Sequence, residues 1–135
     1  MKILSLIFSL AIIVTLQSSC KNVGPVSKSE PLSQIRAEHA AREFATMHGY
    51  EHADQMISGS TIQKYESVTA EPDGTTSMKV FFLAEGSTRP LGIIFIFGHT
   101  TPDQWAIKSI KPDGTASDEL KQWLENKANI NEPVK

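Results

Sequence analysis

The sequence predicts an α+β domain: an N-terminal helix packed on an antiparallel sheet of three or four strands, with a C-terminal helix. Three observations predict it. Residues 29–49 place apolar side chains at helical spacing. Between residues 61 and 114 the pattern changes to short β-branched and aromatic runs, punctuated by two Pro-Asp-Gly turns. Residues 117–128 return to helical spacing.

The first helix is read in "SEPLSQIRAEHAAREFATMHG". Ser29 suits the N-cap and Pro31 the first turn. Leu32, Ile35, His39, Ala40, Phe44 and Met47 fall on one broad face, which makes His39 a partly buried histidine. Glu38 and Arg42 stand four apart in the favourable order, and Gly49 ends the helix. "YEHADQMISGS" fits either a short second helix or an irregular link.

Strands follow. "TIQKYESVTAE" is rich in β-branched and aromatic residues and stops at Pro72–Gly74. In "TTSMKVFFLAEG", Met78, Val80 and Phe82 share one face, while Phe81 and Leu83 share the other. "RPLGIIFIFGHT" is the most apolar segment after the N-terminus, and its length and glycine boundaries predict a central strand covered on both faces. "WAIKSIK" is a further strand, closed by the second turn at Pro112–Gly114. Connections of hairpin length imply antiparallel pairing. In "SDELKQWLENKA", Ser117 caps, Asp118 and Glu119 favour the first turn, and Leu120, Trp123 and Leu124 form a stripe. Residues 31–128 therefore form one domain, and residues 129–135 are expected to fray.

Two alternating sets compete for cover on the central strand. Ile93, Phe95 and Phe97 oppose Ile94 and Ile96. One set packs on the helices; the other meets a second layer, a ligand cavity or a partner. A protein or an apolar small molecule on the sheet face is the partner class this pattern implies.

The N-terminus is of another kind. Met1-Lys2 precedes the apolar run from Ile3 to Leu16, and "QSSC" follows. A basic start, an apolar core and a small-residue exit are the parts of a secretory signal, here residues 1–19. As a helix the run would span about 21 Å, short of a bilayer core of roughly 30 Å. Residues 20–30 continue as "CKNVGPVSKSE", a flexible tether with a root-mean-square reach of about 17–19 Å. Lys2 is the one charge in the signal, so cleavage before residue 20 leaves 116 of the 135 residues, with 12 basic against 15 acidic side chains. That mild acidity, with no clustered Lys or Arg, argues against a nucleic-acid surface.

Cys20 is the only cysteine. An unpaired thiol in an oxidising compartment is prone to stray pairing, and lipidation removes it. Residues 16–20, "LQSSC", resemble the lipobox of bacterial lipoproteins: Ser18 and Ser19 fit the small positions, and Gln17 stands where that family carries Leu. The resemblance implies a lipid on Cys20 and anchoring in the bacterial envelope. Lys21, in place of the Asp that retains such proteins at the inner membrane, implies the outer membrane, facing the periplasm. Cleavage after Cys20 by an ordinary signal peptidase is the alternative. In the domain, "DQWAIKSIKPDG" is similar in style to the last strand of cystatin-like and nuclear-transport-factor-like folds, in which a helix lies on a curved sheet. Those folds host enzymes and binding modules alike, so they imply no activity.

Candidate chemistry rests on histidines. His48 and His52 in "HGYEH" have the spacing of paired metal ligands on a helix, but Gly49 lies between them and no Glu follows the first directly. His99 ends the central strand beside Thr100, Thr101 and Asp103, where a His–Asp pair is conceivable. No nucleophile elbow, phosphate-cradling loop or placeable carboxylate pair accompanies them. The sequence thus favours a tethered, non-catalytic binding or envelope-maintenance module with no cofactor and no metal. A small periplasmic hydrolase or metal-dependent enzyme using His99, or His48 and His52, is the second expectation.

Overall fold

The computed structural model describes residues 29–127 and 131–135. The element order is α1 (Gln34–Met47), β1 (Tyr50–His52), β2 (Gln55–Ile57), a 3₁₀ turn (Gly59–Thr61), β3 (Ile62–Tyr65), β4 (Thr69–Ala70), β5 (Thr76–Phe82), β6 (Leu91–Thr101), β7 (Gln104–Pro112), α2 (Asp118–Asn126) and β8 (Glu132–Pro133). The class is α+β with antiparallel pairing throughout. The main sheet has six strands, ordered β3-β5-β6-β7-β8 with β4 also on β5, and β1 and β2 form a separate hairpin. Three or four strands were expected. The difference comes largely from β4 and β8, whose two residues each are too few to show alternation.

Helix α1 starts later than expected. Ser33, not Ser29, is the N-cap, its Oγ accepting from the Arg36 N–H. The chain before it is not helical and is pinned by the Trp105 indole N–H, which donates to the Glu30 carbonyl at 2.9 Å. The buried face is also rotated from the one expected. Ala37, Ala40, Ala41, Phe44 and Ala45 are buried, whereas Ile35 is 79% and Met47 63% exposed. His39 lies exposed rather than partly buried. Alanines bring the helix backbone close to the sheet, so that Phe44 reaches Phe95 edge-on (ring centroids 5.7 Å apart) and Trp123 (6.4 Å). Close approach along a small-residue stripe outweighs the larger side chains at the other positions.

The segment left open between helix and link is a β-hairpin, Tyr50 pairing with Ile57 and His52 with Gln55. The chain then passes α1 at Gly59. A Cβ there would run into the Thr46 hydroxyl and lie 3.2 Å from the Arg42 carbonyl, so only glycine lets the 3₁₀ turn sit against the helix. Both Pro-Asp-Gly turns form as expected, with Gly74 at φ +85° and Gly114 at φ +94°.

Alternation along β5 matches the sequence: Met78, Val80 and Phe82 are buried. On β6, Ile93, Phe95 and Phe97 are fully buried, and both helices share one core with them. Ile94 and Ile96 are only half-buried. The expectation of a strand covered on both faces is corrected: among the described residues, both helices pack on the inner face. Ser117 caps helix α2 as expected, and Leu120 and Leu124 are buried.

Residues 131–135 of the C-terminal tail lie against β7 and α1. Pro133 and Glu132 pair with Ala106 and Ile107, the Val134 N–H donates to the Trp105 carbonyl at 2.8 Å, and Val134 is 4% exposed. Arg36 donates to the Val134 carbonyl, Lys135 pairs with Glu43 at 3.0 Å, and His48 pairs with Glu132. One apolar anchor plus polar contacts to α1 accounts for the order of a tail with little periodicity.

Candidate functional site

The outer sheet face is built from register. Residues on neighbouring strands that pair point to the same face. Three outward rows result: Ser77–Ile96–Ser109, Lys79–Ile94–Lys111 and Phe81–Gly92 with Asp113 beyond them. At Gly92 a Cβ would lie 3.1 Å from that of Asp113 and 3.3 Å from the Phe81 ring, so the glycine lets both side chains lean over β6. Lys79 is held between Asp113 (2.8 Å) and Glu66 (3.8 Å), and its hydrogen bond to Asp113 raises its pKa above the ordinary lysine range. Lys79 and Lys64 each place an ammonium 5.9 Å from the Phe81 ring centroid.

Beside these rows lies an open basin of about 430 Å³. Ile94 and Ile96 form its floor, Glu71, Asp73, Thr75 and Ser77 one side, and Lys111 the other. The β4–β5 turn that carries the acids is tightly bonded. The Thr75 N–H and hydroxyl both donate to Asp73 (2.9 and 2.6 Å), and the Ser77 hydroxyl donates to Glu71 at 2.6 Å. The hydroxyl bond from Thr75, followed by the backbone one, holds Asp73 below the usual carboxylate range. The basin thus combines an apolar floor with ionised groups of both signs, which suits binding through burial and charge together.

The histidines do not converge. His48 caps α1, lies tilted against Phe44 at 4.8 Å between centroids, and has both ring nitrogens engaged, by Glu132 and by Lys127 at 3.5 Å. It ties the tail to the helix. His52 is exposed on β1. His99 lies on Trp105 with 3.8 Å between ring centroids, and its buried Nδ1 has no hydrogen-bond partner among the described residues. Among those residues no three His, Cys, Asp or Glu side chains gather as a metal site. Cys20 lies outside the described residues.

Sequence reasoning found the outward isoleucines but not Glu71, Asp73, Ser77 or Lys111 as their surroundings. The outward parity of Ser77 and Lys111 was readable from strand alternation. That the Pro72–Gly74 turn folds beside Ile96 depends on the β4–β5–β6 pairing, which no local pattern carries. No family model, curated protein or solved structure matches this chain.

Proposed function

We propose that this chain is an exported binding lipoprotein, tethered through Cys20 to the bacterial outer membrane and facing the periplasm, with the outer sheet face as its working surface. The observation that carries the binding reading is that face itself: half-buried Ile94 and Ile96 in a basin rimmed by Glu71, Asp73 and Lys111. The tether reading rests on the signal-like residues 1–19 and the lipobox-like residues before Cys20. Both are compatible with the fold, since the chain enters it at Glu30, clamped by Trp105. No observation favours the histidine-based hydrolase, because His48 serves the tail, His52 is exposed and His99 is packed on Trp105.

Two measurements test the proposal. The intact mass of the membrane-extracted protein, with and without Cys20→Ala, is expected to show a lipid mass that the variant lacks. A mature species starting at Lys21 with no lipid would sink the tether. For the binding surface, a photo-crosslinking residue at Ser109 on the outer face is compared in cells with one at Met47 on α1. Adducts from position 109 alone support the working face; none, or equal yields from both, reject it.

A further inference from the structure

The outer basin has two chemically unlike sides, and their separation is set by the sheet. The acids sit on the β4–β5 turn and Lys111 on β7, with β6 between them. The Ser77 hydroxyl holds the Glu71 carboxylate over β5, and β5 and β7 are two strand spacings apart, about 9–10 Å across the sheet. On the acidic side, the Glu71 N–H donates to the Thr75 carbonyl (2.9 Å) and the Gly74 N–H to that of Glu71 (3.1 Å), so the turn is ordered before any ligand arrives. One oxygen of each carboxylate is used internally: Glu71 Oε1 by Ser77 and Asp73 Oδ1 by Thr75. The second oxygens have no partner among the described residues. Across the floor, Lys111 forms no ion pair among those residues either. Lys79, its neighbour in the same row, is neutralised by Asp113 and Glu66. Among the described residues the basin therefore offers two acceptor groups, an apolar step and the Lys111 ammonium, in that order.

We propose that this basin binds a short zwitterionic peptide, its ammonium on Glu71 and Asp73, an apolar side chain on Ile94 and Ile96, and its carboxylate on Lys111. The proposal rests on the reading of the outer face as the binding surface. A purely anionic ligand would meet the two carboxylates, and a purely cationic one would meet Lys111. An uncharged apolar ligand would leave both sides desolvated and unpaired. A group with positive and negative ends matches both. The strand spacing suits a short peptide: an extended tripeptide spans about 10 Å. The basin volume of about 430 Å³ falls within the range of small-ligand sites.

The test uses the full chain in detergent and the tripeptide Ala-Leu-Ala in four forms: free, N-acetylated, C-amidated, and blocked at both ends. Affinity is measured by calorimetry, and the site by methyl shifts of Ile94 and Ile96. The free peptide is expected to shift both methyls, and blocking either end to weaken binding about two- to fivefold, as expected for partly exposed charge pairs. Lys111→Gln should abolish the penalty for amidation and keep that for acetylation. The double variant Glu71→Gln, Asp73→Asn should do the reverse. These are surface substitutions and leave the core intact. If all four forms bind the face equally, the zwitterionic class is overturned while the face remains a binding surface. If none shifts the isoleucines although crosslinks still form at position 109, the peptide itself is overturned. If crosslinks fail as well, both readings fall.

Discussion

Phe95 and Ile96 are adjacent on β6 and share its backbone pairing, but they face opposite sides of the sheet. Substituting each in turn measures the two faces separately. Phe95 is fully buried and meets Phe44 and Phe97 at centroid distances of 5.7 and 6.4 Å. Phe95→Ala removes that ring from a close-packed site and should cost about 3–5 kcal/mol. Ile96 is half-buried, and full burial of such a side chain is worth about 1.5–3 kcal/mol. Ile96→Thr keeps β-branching and part of the apolar surface, so its cost should be about 1 kcal/mol or less. Urea unfolding resolves the two. At an m-value of about 2 kcal/mol per M, the midpoint falls by about 1.5–2.5 M for Phe95→Ala and by about 0.5 M or less for Ile96→Thr. Phe95→Leu provides a milder inward control. Equal shifts from Phe95→Ala and Ile96→Thr would refute the reasoning: they would mean that the outer face is as dry as the inner one, with no surface left to bind through.

Three further outcomes are expected. Gly59→Ala forces its Cβ onto Thr46 and toward the Arg42 carbonyl, and should lower stability by about 1–3 kcal/mol; an unchanged melting temperature would contradict that close approach. Val134→Asp places a carboxylate at a 4% exposed site, and should cost about 1.5–3 kcal/mol and expose the tail to protease, whereas protection equal to wild type would contradict the β8 pairing. The third concerns pH. Asp73 has a depressed pKa, so its contribution is present above its unfolded value and is lost as pH falls through the folded one; Lys79 has a raised pKa, so its contribution is present below its unfolded value and is lost as pH rises through the folded one. Asp73→Asn should flatten the acid limb of a stability-versus-pH curve and Lys79→Met the alkaline limb. Unaltered limbs would show that the Thr75 and Asp113 bonds do not persist in solution.

Much of the fold was legible where the code is local. The Ser117 cap, the two Pro-Asp-Gly turns and the alternation of Met78, Val80 and Phe82 each depend on residues a few positions apart. The start of α1 was misplaced because Ser29-Glu-Pro and Ser33 are both good openings, and a bond from Trp105, 75 residues away, decides between them. Its face was misjudged because Ile35 and Met47 outrank alanine on any hydrophobicity scale, while the packed helix uses alanine for closeness. The tail was missed because one buried valine carries no period.

The candidate site divides in the same way. Ile94 and Ile96 were visible as the surplus set on β6, and the sequence raised the question of what they meet. It also showed the signal-like pattern of residues 1–19, the single cysteine that follows it, the α+β class and the antiparallel pairing, because composition, helical period and turn chemistry are written in contiguous residues. The tertiary structure alone decided that both helices lie on one side, that Glu71 and Asp73 stand across Ile94 and Ile96 from Lys111, and that the histidines stay apart. Those are relations between elements far apart in the chain. They follow from which apolar stripes can close-pack together, a condition that no single stretch of the sequence contains.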